Sequence, residues 1–317
     1  MNKRTTDGVQ ITGVSMQAVQ VSSNQNRVEI PWRAYVALTI GIVCIALSAI
    51  WVKWAAVPGP VSAFYRMLIP AVILVPWWFA KRPKHLPKQA TRLSLLGGVF
   101  FAFDLALWNT AILLTSAANS TLFANNAPLW VGLGAWLIFR ERLPQRFWWG
   151  MAIALIGVVV IMGESLQQLT ISRGDLLALA AGGFYAAYLL TTQRARAELD
   201  TLTFMTLGIV VSVVILGLMC WIGGFSIIGF SAQTWWSLLG LGLISHLGGW
   251  LAINYALGHI KAATASVSLL GQPVLTALIS IPILNEPLHI FQIVGGSLVI
   301  GGIWLVNTQK EAANSKV

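Results

Sequence analysis

The sequence predicts an all-α membrane protein of ten transmembrane helices arranged as two inverted five-helix repeats, and three observations carry that prediction. Hydrophobic residues fill 57% of the 317 positions and charged residues only 9%, with a mean hydropathy of +0.76. A soluble domain has no use for that much apolar surface, so lipid has to be the solvent. The apolar stretches recur along nearly the whole chain, each about 20 residues long, which is what a helix needs to cross the hydrocarbon core. The third observation is a self-similarity at one constant offset between the two halves, described below.

Bounded by charges, prolines and polar clusters, the apolar runs place spans near 34–54, 60–79, 93–113, 117–139 and 146–163 in the first half. A second set lies near 174–192, 203–222, 233–257, 262–284 and 288–307. These bound two repeat units, 34–163 and 174–307, flanked by tails at 1–33 and 308–317. The N-terminal tail is rich in Ser, Asn, Gln and Thr and lacks the apolar core of a cleavable signal, so it reads as a disordered cytoplasmic segment.

The charges fix the orientation. A net charge of +10 would suit a nucleic-acid binder if the basic residues gathered on one face. They sit instead in the loops between spans. The most basic connection, Lys81-Arg82-Pro83-Lys84-His85-Leu86-Pro87-Lys88, is assigned to the cytoplasm by the positive-inside rule. Alternation then puts Arg140, Arg142, Arg146, Arg194, Arg196 and Lys261 on the same side and leaves Arg173 outside. Both termini are expected to be cytoplasmic in a multi-pass protein, and nucleic acid drops out as a partner. Cys44 and Cys220 lie inside apolar runs with no paired or metal-ligand spacing.

An offset of 145 residues superimposes Asn109 on Asn254, Pro128 on Pro273, Glu141 on Glu286, Gly150 on Gly295 and Gly157 on Gly302 without a gap. Apolar coincidences mean little in spans, but Asn, Pro and Glu are scarce there, and three such matches carry weight. An odd number of spans per half makes the second half enter the membrane from the opposite side.

The sequence resembles the EamA family of the drug/metabolite transporter superfamily, whose members repeat a five-helix unit. The first copy reads AILLTSAANSTLFANNAPLWVGLGAWLIFRERLPQRFWWGMAIALIGVVVI and the second ALGHIKAATASVSLLGQPVLTALISIPILNEPLHIFQIVGGSLVIGGIWLV. Each has a mid-helix Pro, a loop Glu and a Gly-bearing last helix. The resemblance implies transport of metabolites or drug-like solutes, often export, across the bacterial inner membrane.

Several residues inside spans are candidates for carrying that activity. Pro128 and Pro273 each lack an N–H and free the carbonyl four residues back, at Ala124 and Leu269, breaking their helices at bilayer depth. Asn125, Asn126 and Gln272 lie beside the breaks and suit either those carbonyls or a substrate. Asp104 is a carboxylate well inside a span and is the first candidate for coupling or cation recognition, with a helix-pairing role as the bland alternative. Trp108 follows one turn on and offers a flat wall to an apolar or cationic solute. Arg66 suits a substrate carboxylate or an internal pair with Asp104. His246, Trp250 and Asn254 recur at i, i+4 and i+8, which predicts one polar stripe on the eighth span, and Asn109 is the repeat mate of Asn254. Tyr185 and Tyr188 in the sixth span serve either the cavity or packing. Glu141 and Glu286 read as helix N-terminal, structural residues. The sequon Asn119-Ser120-Thr121 at a span start reads as chance.

The leading expectation is a secondary transporter by alternating access, with a midplane cavity lined by the first, third, fourth, sixth, eighth and ninth spans. A facilitated-diffusion channel and an intramembrane enzyme using Asp104 and His246 are the alternatives. There is no phosphate loop and no zinc, heme or hydrolase motif, so neither a cofactor, a metal nor an ATP site is expected. The expected partners are a small-molecule solute, the lipid bilayer and possibly a second copy of the chain.

Overall fold

The computed structural model describes residues 32–81, 83, 85–114, 123–162, 172–284 and 290–308. The readings made above for Arg82, Lys84, Glu286, the 119–121 sequon and nearly all of both tails lie outside the described residues. Fourteen helical segments and no strand occur among the described residues. In chain order they are α1 Trp32–Ala46, α2 Ser48–Ala55, α3 Gly59–Lys81, α4 Lys88–Leu114, α5 Ala127–Leu137 and α6 Gln145–Met162. Then follow α7 Arg173–Ala195, α8 Thr201–Ile222, α9 Ala232–Gly240, α10 Leu241–Trp250, α11 Leu251–Leu257, α12 Ala262–Ser268, α13 Gly271–Leu284 and α14 Ile290–Asn307.

Seven helices are long and apolar enough to cross a membrane: Trp32–Ala55, Gly59–Lys81, Lys88–Leu114, Arg173–Ala195, Thr201–Ile222, Ala232–Leu257 and Ile290–Asn307. Ala127–Leu137 and Gln145–Ile161 are apolar but shorter, and the run 262–284 is divided into α12 and α13. Within the described residues helix occurs in each expected stretch, and seven of the ten stretches hold a helix long and apolar enough to cross a membrane.

Local chemistry explains where the second-half helices start. Ser172 caps α7 with a reciprocal box: its hydroxyl accepts from the Asp175 N–H at 3.2 Å, and its own N–H donates to the Asp175 carboxylate at 2.7 Å. Asp200 and Ser231 cap α8 and α9 one way, their side chains accepting from the Thr203 and Thr234 N–H groups. In lipid these caps matter more than in water, because an unsatisfied N–H at a buried helix end has no solvent to turn to.

Packing in a membrane gains nothing from hiding apolar side chains, so close backbone approach has to supply the contact energy. Glycines provide it. A Cβ on Gly157 would lie 2.6 Å from the Gly295 carbonyl oxygen, and one on Gly150 would lie 2.8 Å from that of Gly302. The two contacts exchange places under the 145-residue offset, as they must if α6 and α14 cross antiparallel. Gly98 meets the Gly208 backbone in the same manner and joins α4 to α8.

One segment is irregular. Residues Leu241–Trp250 form a π-helix between two α-helical pieces, a widened turn with i→i+5 bonding that is uncommon outside functional positions.

Candidate functional site

The site begins at a discontinuity in the first span. α1 ends at Ala46 and α2 starts at Ser48, and the carbonyls of Cys44, Ile45 and Ala46 all accept side-chain hydrogen bonds. Their donors are Ser245 Oγ at 3.1 Å, Gln272 Nε2 at 3.3 Å and Thr276 Oγ1 at 3.0 Å. Three second-half side chains thus hold a first-half break together.

Around this join lies a cavity of about 590 Å³, its mouth included, lined by Ile45, Ser48, Arg66, Asp104, Leu105, Trp108, Ala124, Asn125, Tyr185, Trp250 and Gln272. Every span expected to line a cavity contributes, and the second span adds Arg66.

Arg66 and Asp104 set its electrostatics. Arg66 is only 3% exposed and Asp104 9%. Among the described residues they share the cavity without meeting as an ion pair, so the alternative of an internal Arg66–Asp104 bridge is not what the structure holds. Arg66 Nη2 donates to Ser48 Oγ across a long 3.4 Å, and its Nε has no partner. A buried charge left without its counter-charge costs several kcal/mol. The Arg66 guanidinium is thus buried at the cavity wall with donors unspent and with Asp104 on the same wall. Pro70, four residues on within α3, also frees the Arg66 carbonyl from the helical ladder.

The remaining candidates divide sharply. Trp108, Asn125, Tyr185, Trp250 and Gln272 face this cavity. Tyr188, His246 and Asn254 instead line a second, smaller one of about 240 Å³ together with Phe101, Phe204 and Ser212. There Tyr188 Oη donates to Asn254 Oδ1 at 2.8 Å, while Asn254 Nδ2 and both ring nitrogens of His246 have no partner. An aromatic layer separates the two spaces. Phe101 stacks on Tyr188 at 4.3 Å and meets Trp250 edge-on at 4.6 Å, and Tyr188 and Tyr185 lie 5.2 and 5.7 Å from Trp250.

The single polar stripe expected on the eighth span is divided between the cavities: Trp250 lines one and His246 and Asn254 the other, although the His246 and Trp250 rings stay 6.5 Å apart. Asp104 and His246, the pair an intramembrane enzyme would need, face different cavities.

Asn109 and Asn126 face neither cavity. Asn109 Nδ2 donates to Ser62 Oγ at 2.8 Å and ties α4 to α3. Asn126 donates to the Phe123 carbonyl and packs on Gly182, where any Cβ would collide with its amide and with the Ala124 oxygen. The helix breaks fall where Pro128 and Pro273 place them, at turns Asn125–Asn126 and Leu269–Leu270. The Leu269 carbonyl is satisfied three residues on by the Gln272 N–H at 3.0 Å.

Glu141 corrects an expectation. It does not serve a helix N-terminus: its carboxylate lies 3.5 Å from Arg194 Nη2 and 3.6 Å from Lys261 Nζ, and accepts from Gln193 Nε2 at 3.3 Å. The reason is the chain reversal before it. Arg140 adopts a left-handed φ of 53°, the Glu141 N–H closes back on the Ala135 carbonyl at 2.9 Å, and the side chain is turned toward α7. Ser48, Gly182, Gln193 and Glu141 were not singled out as site residues by their sequence context. Only Glu141 carried a signal, its recurrence at the repeat offset.

Fold and cavity together define a multi-span helical membrane protein with a cavity lined by buried charged side chains. The chain belongs to the EamA-like transporter family, which matches residues 32–163 and again residues 172–308, and through it to the drug/metabolite transporter superfamily. It is 25% identical over 256 residues to an uncharacterized transporter of Archaeoglobus fulgidus, covering 78% of this chain and 87% of that protein. Against the uncharacterized transporter YyaM of Bacillus subtilis it is 26% identical, covering 78% and 83%. Against the threonine/homoserine exporter RhtA of Salmonella typhimurium it is 27% identical over 285 residues, covering 85% and 89%. A crystal structure at 18% identity aligns with a TM-score of 0.74 over 90% of this chain and 99% of its own, a likeness of fold.

Proposed function

We propose that this protein is a secondary transporter that exports amino-acid-like solutes from a bacterial cytoplasm by alternating access, through ten spans built as two inverted repeats. The observation that carries the substrate class is the pair of buried opposite charges, Arg66 and Asp104, lining one cavity without neutralising each other. A zwitterion complements that arrangement: its carboxylate takes the free guanidinium donors and its ammonium the Asp104 carboxylate. Trp108, Tyr185 and Trp250 form the wall left for the solute's side chain. The exchange of Gly150–Gly302 and Gly157–Gly295 contacts under the repeat offset supports the inverted arrangement, and the RhtA relative supports both export and the amino-acid class. Both termini and the basic loops lie on the cytoplasmic side in this reading.

The test is flux of labelled threonine, homoserine and a wider amino-acid panel through proteoliposomes, with and without an imposed pH gradient. Saturable movement of unmodified zwitterions, competed by other amino acids and not by decarboxylated amines, is the expected result. Equal transport of the amines would remove Arg66 from recognition; conductance that does not saturate would make the protein a channel.

A further inference from the structure

The cavity lies toward one membrane face, and the opposite end of the same elements is tied shut. α5, α7 and the α12–α13 pair bring Asn125, Tyr185 and Gln272 near the cavity. Their far ends meet at one carboxylate, Glu141, where the α5–α6 turn, the end of α7 and the start of α12 converge. The second cavity is lined by α4, α7, α8, α10 and α11, and two of those elements lead to the tie: α7 runs from Tyr188 to Arg194 and α11 from Asn254 toward Lys261. This tied end carries Arg140, Arg142, Arg194, Arg196 and Lys261, and is the basic face.

Five interactions make the tie. Glu141, with only 16% of its side chain exposed, pairs with Arg194 and Lys261. Arg194 lies over the Phe139 ring at 4.1 Å. Gln193 bridges the set, donating to Glu141 and accepting the Ala262 N–H at the first turn of α12. An exposed ion pair alone is worth little. A half-buried carboxylate shared among three donors from two elements is a network, and removing it releases all three elements at once.

Two of those elements are short arms with a joint on the cavity side. α5 spans 11 residues between the Asn125–Asn126 turn and the Glu141 reversal, and α12 spans 7 residues between Lys261 and the Leu269–Leu270 turn. Each arm is fixed by the tie at one end and interrupted at the other, so it can swing without unwinding the cavity half of its span.

We propose that the Glu141 network is the gate at the basic face: it holds the α5 and α12 arms closed while the cavity is open to the opposite side, and its release opens the second cavity to the basic face. The proposal rests on the alternating-access reading above. Its cost is set by few contacts, as a gate that must open on each cycle requires.

The test uses full-length protein in oriented vesicles, with Cys44 and Cys220 replaced by alanine and one reporter thiol added. Met205→Cys reports on the second cavity and Leu105→Cys on the main one, each reacted with a membrane-impermeant thiol reagent from one side. Glu141→Gln is expected to speed Met205→Cys labelling from the basic face about five- to tenfold and to slow Leu105→Cys labelling from the other face. The double variant Arg194→Gln with Lys261→Gln, which keeps Glu141, should do the same. Reversing all three charges together (Glu141→Lys, Arg194→Glu, Lys261→Glu) should return both rates toward the parent. Unchanged rates in both neutralised variants overturn the gate. So does acceleration at both reporters, which would mean general loosening. Labelling needs no solute, so a protein that moves none of the amino-acid panel still tests the gate, and one that transports normally with labelling unmoved refutes the gate alone.

Discussion

The two halves each match the same family model and differ in chemistry. At the 145-residue offset Arg66 faces Val211, Asp104 faces Gly249 and Phe101 faces His246. The cavity's two buried charges therefore come from the first half alone, while the second supplies Trp250, Gln272 and the side chains that hold the first-span join. The broken helices differ likewise. The first-half break is clamped, with Gly182 of α7 pressed on Asn126 and the Ala124 carbonyl. At the second-half break there is room for a side chain: a Cβ on Gly271 would meet only Ile303 Cδ1 at 3.6 Å and Ile42 Cγ2 at 3.9 Å. A second set of buried charges would double the desolvation cost.

The comparison breaks first at Arg66. Replacing it with alanine should lower saturable zwitterion flux about 100-fold, the scale of losing one desolvated charge partner. Lysine should recover only part, since an ammonium lacks the two-pronged geometry. If Arg66→Ala transports normally, the charged half is not the binding half.

Asp104→Asn comes next. The hypothesis that Asp104 couples transport to protons predicts that a pH gradient accelerates wild-type flux and leaves the variant unaffected at equal folded yield. A variant that still responds to the gradient would reduce Asp104 to solute recognition.

The breaks give the smaller effects. Gly182→Ala should destabilise the protein by about 1–3 kcal/mol through overpacking, read as a lower unfolding midpoint in detergent. Gly271→Ala should change it by less than about 0.5 kcal/mol, because its new methyl finds ordinary contact distances. Equal effects at the two glycines would mean that the breaks are clamped alike.

Much of this was legible in the sequence for one reason: a bilayer imposes a length and a polarity on each span. Apolar runs therefore located the helices to within a few residues, and any Arg, Asp, His or Asn inside one had to face protein or a cavity. Arg66, Asp104, Trp108, Asn125, Tyr185, Trp250 and Gln272 came together accordingly. The local sequence also placed the helix breaks, since a proline loses its N–H wherever it sits.

What only the tertiary structure decided depended on partners distant in the chain or on a change of helical period. Trp250 lines one cavity and His246 and Asn254 another, and no residue spacing announces the π-helical turn at Leu241–Trp250. The clamp at Gly182 exists because α5 and α7 approach each other. Glu141 looked like a cap beside its own helix and instead joins Arg194 and Lys261, 53 and 120 positions further on. A hydropathy pattern records the solvent each residue meets, while a salt bridge depends on where two distant backbones happen to cross.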